Sequence, residues 1–365
     1  MQPKSSFTLN NIDDKYLLAS ILQKSIRLGL TVSSQGAVEQ LFKLDKNYLM
    51  YRLMIIAFED VGIANLELMK RITSFKWGVR KFKEKNIDFL TYFNSLSIEL
   101  AQSAKDRSAA DAVYLLSLAH QHNDIKSVCD QNEVLAQIWQ SWNILGFQRY
   151  SPGALKSEMP DNLQAYKLYL AQLFRRREED FLYVDNFYST QVEPFFLSLP
   201  VLGQYTPASV PGEAEPQSLP YAPTHLTPLS DASQQLRTDF PLSAIDGHTR
   251  NGSMAIRKFI FEHTQELREI FSPTTIDNEL LYQIVKKCLF RVEGQTVTPQ
   301  LKYSRAVEIK ALCQQKECEY FFPQVSWAQY VNLGKLIKSN LFKLDLYRLE
   351  TLEGYTPKAG FLKIS

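Results

Sequence analysis

Apolar residues along this chain recur with a helical period. Leu17, Leu18, Ile21, Leu22, Ser25 and Ile26 form one stripe, which predicts a first helix that stops at Gly29. Glycine adopts a left-handed backbone at little steric cost, and Lys24 and Arg27 occupy the last turn, where the helix dipole favours cations. The same periodicity returns over 38–44, 48–58, 90–100 and 109–119, and Trp139 and Trp142 read as aromatic anchors that close the block. A second helical stretch is predicted over about 160–198, and more helices over about 251–270, 276–291, 301–318 and 326–350. The expected fold class is therefore all-α, a multi-helix bundle with a second helical region behind it.

What separates the two is a composition shift. Between Pro207 and Pro228 lie Pro211, Pro216, Pro220 and Pro223, interleaved with Gly, Ser, Ala and Thr. Proline fixes φ and removes a backbone donor, so this stretch continues neither a helix nor a central strand and reads as a linker. The expected organisation is a helical domain over 1–145, a helical extension over 146–200, a proline-rich linker over 201–240 and a C-terminal helical region over 241–365. Leu-Phe-Lys-Leu-Asp occurs at 41–45 and again at 341–345, but without surrounding similarity it is coincidence, not an internal repeat.

Composition narrows the class. A chain of 365 residues can bury a substantial core, and its 45% hydrophobic and 22% charged content is that of a globular protein. The formal charge of +2 creates no global field for nucleic acid, so a DNA contact would have to come from a local patch. The stretch 48–58 is interrupted by Arg52 and is too short to span a bilayer, and the first residues lack a signal-peptide pattern. Cys129, Cys288, Cys313 and Cys318 form no C-x-x-C pair, and no histidine completes a zinc pattern. The expectation is reduced thiols in a cytoplasmic protein, with no membrane association, no metal and no cofactor.

Catalytic motifs are missing too. The sequence contains no G-x-x-x-x-G-K-[ST], no G-x-G-x-x-G opening a helix after a strand, no G-x-S-x-G and no H-E-x-x-H, so an enzyme is not expected. His120 and His122 lie two apart, which turns them to different faces of a helix. The polar run Asp246 to Ser253 precedes an amphipathic stretch with Ile256, Phe259, Ile260, Leu267 and Ile270. Asn251 or Ser253 is the candidate cap there, and His248, Arg250, Arg257 and Lys258 are candidates for anion or nucleic-acid contact beside the helix start. The plainer reading is a capped turn whose polar groups satisfy one another. Asp246, His248 and Arg250 are also where an enzymatic site would assemble, although no nucleophile accompanies them. Arg175-Arg176-Arg177 is followed by Glu178-Glu179-Asp180, and such adjacent charges cancel at a distance, which predicts a solvated helix face rather than a phosphate-contacting one.

Three segments resemble the helical collar domain of the RarA/MgsA (replication-associated recombination protein A) family of clamp-loader-like ATPases. Leu22-Gln23-Lys24-Ser25-Ile26-Arg27 is similar to the family's LQKSxR helix, and Tyr51 to Asn65 parallels RRLLxIAxEDIGxAx. The third, Ala101 to Ala119, is centred on Lys105-Asp106-Arg107, where the family has Lys-Ser-Asn ahead of a helix. The resemblance covers about 16–120. It implies a clamp-loader-like helical module that joins subunits, and hence a homo-oligomer working in DNA replication, recombination or repair. DNA, or a replication or repair protein such as a RarA-type ATPase, is the implied partner. Nucleotide hydrolysis does not carry over, because only some fifteen residues stand where the family has its ATPase core. The substituted Lys-Ser-Asn leaves Lys105 and Arg107 as candidates for nucleic-acid or anion binding. A regulator that mimics the collar of such an ATPase is the alternative reading.

The shared acids have a physical reading of their own. Glu59 and Asp60 end the 48–58 helix, where the dipole disfavours negative charge, so they need partners. Arg27 closes the preceding helix and Arg52 lies seven residues before Glu59. A buried ion pair of Glu59 or Asp60 with Arg27 or Arg52 is expected, with Asp60 as cap of a helix near Ile63 as the alternative.

Overall fold

The computed structural model describes residues 8–74, 88–146, 159–188, 196–206, 238–294, 297, 300–301 and 303–352. The heart of the proline-rich linker, 207–237, lies outside them. Among the described residues the architecture is all-α, with one isolated backbone bridge between Lys105 and Gln300. No described helix is long and apolar enough to cross a membrane.

The first helix, α1 (Lys15–Arg27), is started by Asp14, whose side chain accepts from the Tyr16 and Leu17 N–H groups. It stops at Gly29, with φ of 74°, and the Leu30 N–H reaches back to the Ser25 carbonyl. That left-handed stop satisfies carbonyls the helix would leave open. α1 is buried on more than its apolar stripe, because Gln23, Lys24, Ser25 and Arg27 are enclosed as well. Such a helix is central, and its polar side must find partners inside the protein.

α2 (Thr31–Leu44), α3 (Lys46–Ile56) and α5 (Phe89–Gln102) pack about α1, and α4 (Leu66–Ser74) joins the same core against the short helix Val184–Tyr188. α6 (Ser108–Gln121), α7 (Ile125–Gln131), α8 (Glu133–Ile144) and α9 (Met159–Phe174) complete this half. Trp142 is buried in α8, and its ring centre lies 6.0 Å from that of Trp139. α9 ends before Arg175, and the three arginines there are exposed. The second half comprises α10 (Arg250–Glu262), α11 (Thr264–Phe271), α12 (Asn278–Gly294), α13 (Ser304–Phe321), α14 (Trp327–Ser339) and α15 (Leu341–Leu352).

Two apolar cores result. The first runs from Leu9 through α9 to Ile245 and takes in Tyr303, Ile309 and Cys313. The second spans Ala255 to Leu344. The extension over 146–200 thus shares a core with the N-terminal helices through Tyr166, Leu170 and Phe181, and α13 supplies side chains to both cores. Residues 238–246 lie against the start of the chain: the Leu9 N–H donates to the Asp239 carboxylate at 3.0 Å, and Ser20 Oγ to the Ala244 carbonyl at 2.8 Å.

The turn before α10 connects the two cores. Its cap is Thr249, whose hydroxyl accepts from the Gly252 N–H at 3.0 Å, not Asn251 or Ser253. The helix begins earlier than its apolar pattern, which puts Asn251 inside it and leaves Ser253 to donate to the Gly247 carbonyl. Gly252 passes so close to the preceding loop that a Cβ there would stand 1.8 Å from the Asp246 carbonyl oxygen. Gly252→Ala must push α10 off that loop. Its expected cost is about 1–3 kcal/mol or more, as for other overpacked sites, read as a lowered midpoint in thermal or urea denaturation.

Candidate functional site

The three resemblance segments meet at one buried carboxylate. After Ile56, α3 widens into a π turn (Ala57–Val61), which brings Asp60 inward with no exposed surface. Arg27 grips it with two nitrogens, Nε to Oδ1 at 2.8 Å and Nη2 to Oδ2 at 3.3 Å. Arg107 Nη1 donates to the same Oδ1. Gln23 Nε2 adds a bond to Oδ2 at 3.2 Å and another to Glu59 Oε2 at 2.6 Å. Arg52 reaches neither acid and instead donates to Gln23 Oε1 at 3.0 Å. Asp60 caps nothing: the 3-10 turn Gly62–Asn65 has no side-chain cap, and α4 is opened by Asn65, which accepts from the Leu68 N–H. The π turn draws the carboxylate away from that helix start.

Main-chain geometry fixes the third segment. The Asp106 N–H donates to the Asp60 carbonyl at 3.0 Å. Gly62, with φ of 48°, lies where a Cβ would come within 3.1 Å of the Asp106 carbonyl. Such a backbone conformation is strained for any residue with a side chain.

Lys105 is not a surface contact for nucleic acid. It has no exposed surface, and its ammonium donates to the Ala101 and Ser103 carbonyls at the end of α5. The sharp turn out of α5 folds it back over open helix carbonyls, a role those groups require when buried. Burial pushes its pKa down to about 7. Asp106 is also buried, and burial pushes its carboxyl up to about 7. It accepts from Ser108 Oγ at 2.6 Å, and Ser108 lies 2.7 Å from the Tyr303 hydroxyl of the other half. Burial would also raise Asp60, but the Arg27 and Arg107 guanidiniums outweigh it and hold that carboxyl well below the usual range.

Further ion pairs line the seam of the two halves, and Arg291–Asp111 crosses it. Arg291 of α12 donates to Asp111 at 2.9 Å and to Glu317 at 2.6 Å. Lys287 lies 3.0 Å from Glu317, and the Tyr114 hydroxyl donates to the same acid at 2.9 Å. Arg348, buried in α15, donates to the Ile245 carbonyl and pairs with Glu293 at 2.7 Å and Asp345 at 2.9 Å. Lys24 faces Asp246 at 3.5 Å, and burial, helped by Arg27, pushes Lys24 down to about 8.

Two adjoining clefts lie along this seam, of about 600 and about 440 Å³. They share Arg107, Asp111, Phe290 and Arg291 as a common wall. His248 and Asp246 border the larger one. The Asp246 carboxylate accepts from the His248 backbone N–H, while the exposed His248 ring lies edge-on to Phe290 at 6.3 Å. No Asp–His side-chain dyad forms there. Arg250 is exposed at the start of α10 and lines neither cleft. Arg257 lies over the Tyr282 ring at 4.2 Å and near Glu279, and Lys258 pairs with Glu350 over the Tyr347 ring. The candidates of the Asp246–Lys258 stretch therefore do not converge with Lys105 and Arg107, except that His248 and Arg107 border one cleft. Among the described residues no group of three His, Cys, Asp or Glu side chains is placed to hold a metal ion.

Arg291, Glu317 and Arg348 are the seam residues that sequence reading passes over, while Asp106 and Asp111 fall inside the Ala101–Ala119 segment without a role being read for them. Gln23 and Lys24 carried a signal, since they lie in the quoted Leu22–Arg27 segment.

Removing one partner of a buried pair leaves a charge without compensation, which costs about 3–5 kcal/mol. Arg27→Ala is expected to lose that much in denaturant unfolding. Asp106 gives a distinct pH signature. Its folded pKa of about 7 exceeds the ordinary carboxylate value near 3.9, so the folded state holds the extra proton and loses stability as pH rises from about 4 to 7. Lys105 acts in the opposite sense above that window, because its folded value is depressed. The melting-temperature difference between Asp106→Asn and the parent should move in the variant's favour from pH 4 to 7 and then level off.

No protein-family model matches the chain, and no curated protein or solved structure matches it.

Proposed function

We propose that this chain is a binding and assembly protein of DNA replication, recombination or repair, acting through a collar-like helical module rather than by catalysis. One observation carries the reading. The segments that resemble the RarA/MgsA collar are far apart in sequence, yet the matching residues Gln23, Arg27, Glu59, Asp60 and Gly62 come together at a single buried site, joined there by Arg107, which stands where the family has Asn. Residues that match a motif by chance have no reason to converge, whereas residues that specify a shared fold do. The acids and bases of the seam are held in ion pairs within the protein, as suits a scaffold.

In this reading the module joins copies of the chain and presents the assembly to DNA or to a replication or repair protein, a RarA-type ATPase being the named candidate. With a formal charge of +2, a protein partner stands at least level with nucleic acid. Light scattering coupled to size exclusion should give a mass above the 42.0 kDa of one chain. Pull-down from cell extract should recover a replication or repair protein. A strictly monomeric chain that recovers no such protein and shows no salt-dependent DNA binding would remove this reading.

A further inference from the structure

The smaller cleft, of about 440 Å³, is bordered by four described cations: Lys105, Arg107, Arg291 and Lys310. Two of them have their donors occupied. Lys105 donates to helix carbonyls, and Arg291 directs Nε to Glu317, Nη1 to Asp111 and Nη2 to the Cys313 sulfur. The other two are open. Arg107 gives only Nη1 to Asp60, so among the described residues its Nε and Nη2 have no partner, and its side chain keeps 16% exposure. Lys310 makes neither an ion pair nor a hydrogen bond among the described residues.

We propose that this cleft binds a phosphate monoester, held between Lys310 and the free edge of the Arg107 guanidinium. The inference does not depend on the subunit-joining reading. Burial lowers the Lys310 pKa, and Arg107 and Arg291 push it the same way against the opposing pull of Asp111. Asp111 is the strongest charged influence on Lys310, but it is committed to Arg291, and Lys310 itself is left with no paired acid beside two guanidiniums. The carboxyls on the cleft wall do not serve: Asp111 is engaged by Arg291, and Asp106 by Ser108. Glu59 borders the larger cleft, where it accepts from Gln23.

Geometry selects the class of anion. A planar N–H fork binds two oxygens of an oxyanion side by side, and an ammonium takes a third as a point charge. A phosphate monoester has three such oxygens, whereas a carboxylate has only the two that the fork would use. α6 and α13 both begin at this cleft, with Ser108 and Tyr303 on its wall, and positive helix ends add to the attraction. Phe290 and Val307 offer apolar surface to the organic part of the ester.

Isothermal titration of the full chain with inorganic phosphate, phenyl phosphate and benzoate tests this. Both phosphates should bind saturably, phenyl phosphate the more tightly, and benzoate at least about tenfold more weakly than phenyl phosphate, since charge-assisted bonds dominate. Lys310→Ala should weaken both phosphates by about tenfold or more, and Lys310→Arg should retain most of the binding. Without ligand, Lys310→Ala should melt no lower than the parent, because it removes an unpaired cation. If that variant fails to fold, Ala311→Glu, which places a carboxylate on the same wall, should abolish phosphate binding. Absence of saturable binding, affinity unchanged in these variants, or benzoate equal to phenyl phosphate would overturn the proposal.

Discussion

A carboxylate removed from water must be compensated where it stands, and Asp60 imposes that demand on the rest of the protein. The cost of burying an unpaired charge is large enough to unfold a domain of ordinary stability. Its compensation therefore dictates geometry across three segments. α1 must end with Arg27 pointing inward, which makes its polar side an interior surface. α3 must widen into a π turn to deliver the acid, and such single turns within helices are frequent at functional sites. The chain after α5 must pass within a hydrogen bond of the Asp60 backbone to bring Arg107 in, which is why Gly62 carries no side chain and why Lys105 is folded back over the end of α5.

A second consequence is the way the two halves meet. Their apolar cores share α13, but much of the seam between them is polar: Arg291 bridges Asp111 of the first half and Glu317 of the second, and the Tyr114 hydroxyl donates to the same Glu317. Apolar faces slide past one another at little cost, whereas a buried forked ion pair tolerates one register. Arg348 is almost fully enclosed and also donates to the Ile245 carbonyl, so the last helix is tied to the segment that leaves the first core. In such an arrangement buried charge contributes positional specificity more than net stability.

How much of this could be read from the chain follows from the range of each interaction. Helices and their stops were legible because they depend on neighbours three and four apart: the stripe of α1 and the Gly29 stop are local facts. The need of Asp60 for a partner was also legible, because an acid at the end of an apolar helix is unfavourable wherever it sits. The third member of that site was not, since Arg107 is far away in sequence and its approach depends on a main-chain contact. The same holds for Asp111 and Arg291, which no periodicity connects. Lys105 was misread for an instructive reason: a lysine beside an arginine ahead of a helix resembles an anion site, and only burial shows that its donors are used by carbonyls. At the turn before α10 the cap was displaced to Thr249 because a polar first turn hides where a helix begins.

The clefts arise from the same constraint that organises the fold. Apolar side chains close-pack and leave few voids, but ion pairs have fixed lengths and directions and cannot be compressed to fill a gap. Where α12 and α13 approach α6 through Arg291, Asp111 and Glu317, the helices stand off at distances set by those bridges, and space remains on either side of Arg107 and Phe290. Arg107 belongs at once to the Asp60 site and to the wall of both clefts, with one nitrogen facing inward and the rest of its fork unoccupied. A change in what occupies that fork acts directly on the carboxylate that fixes α1, α3 and the turn before α6. Ligand occupancy and the packing of the helical module are thereby coupled through a single side chain.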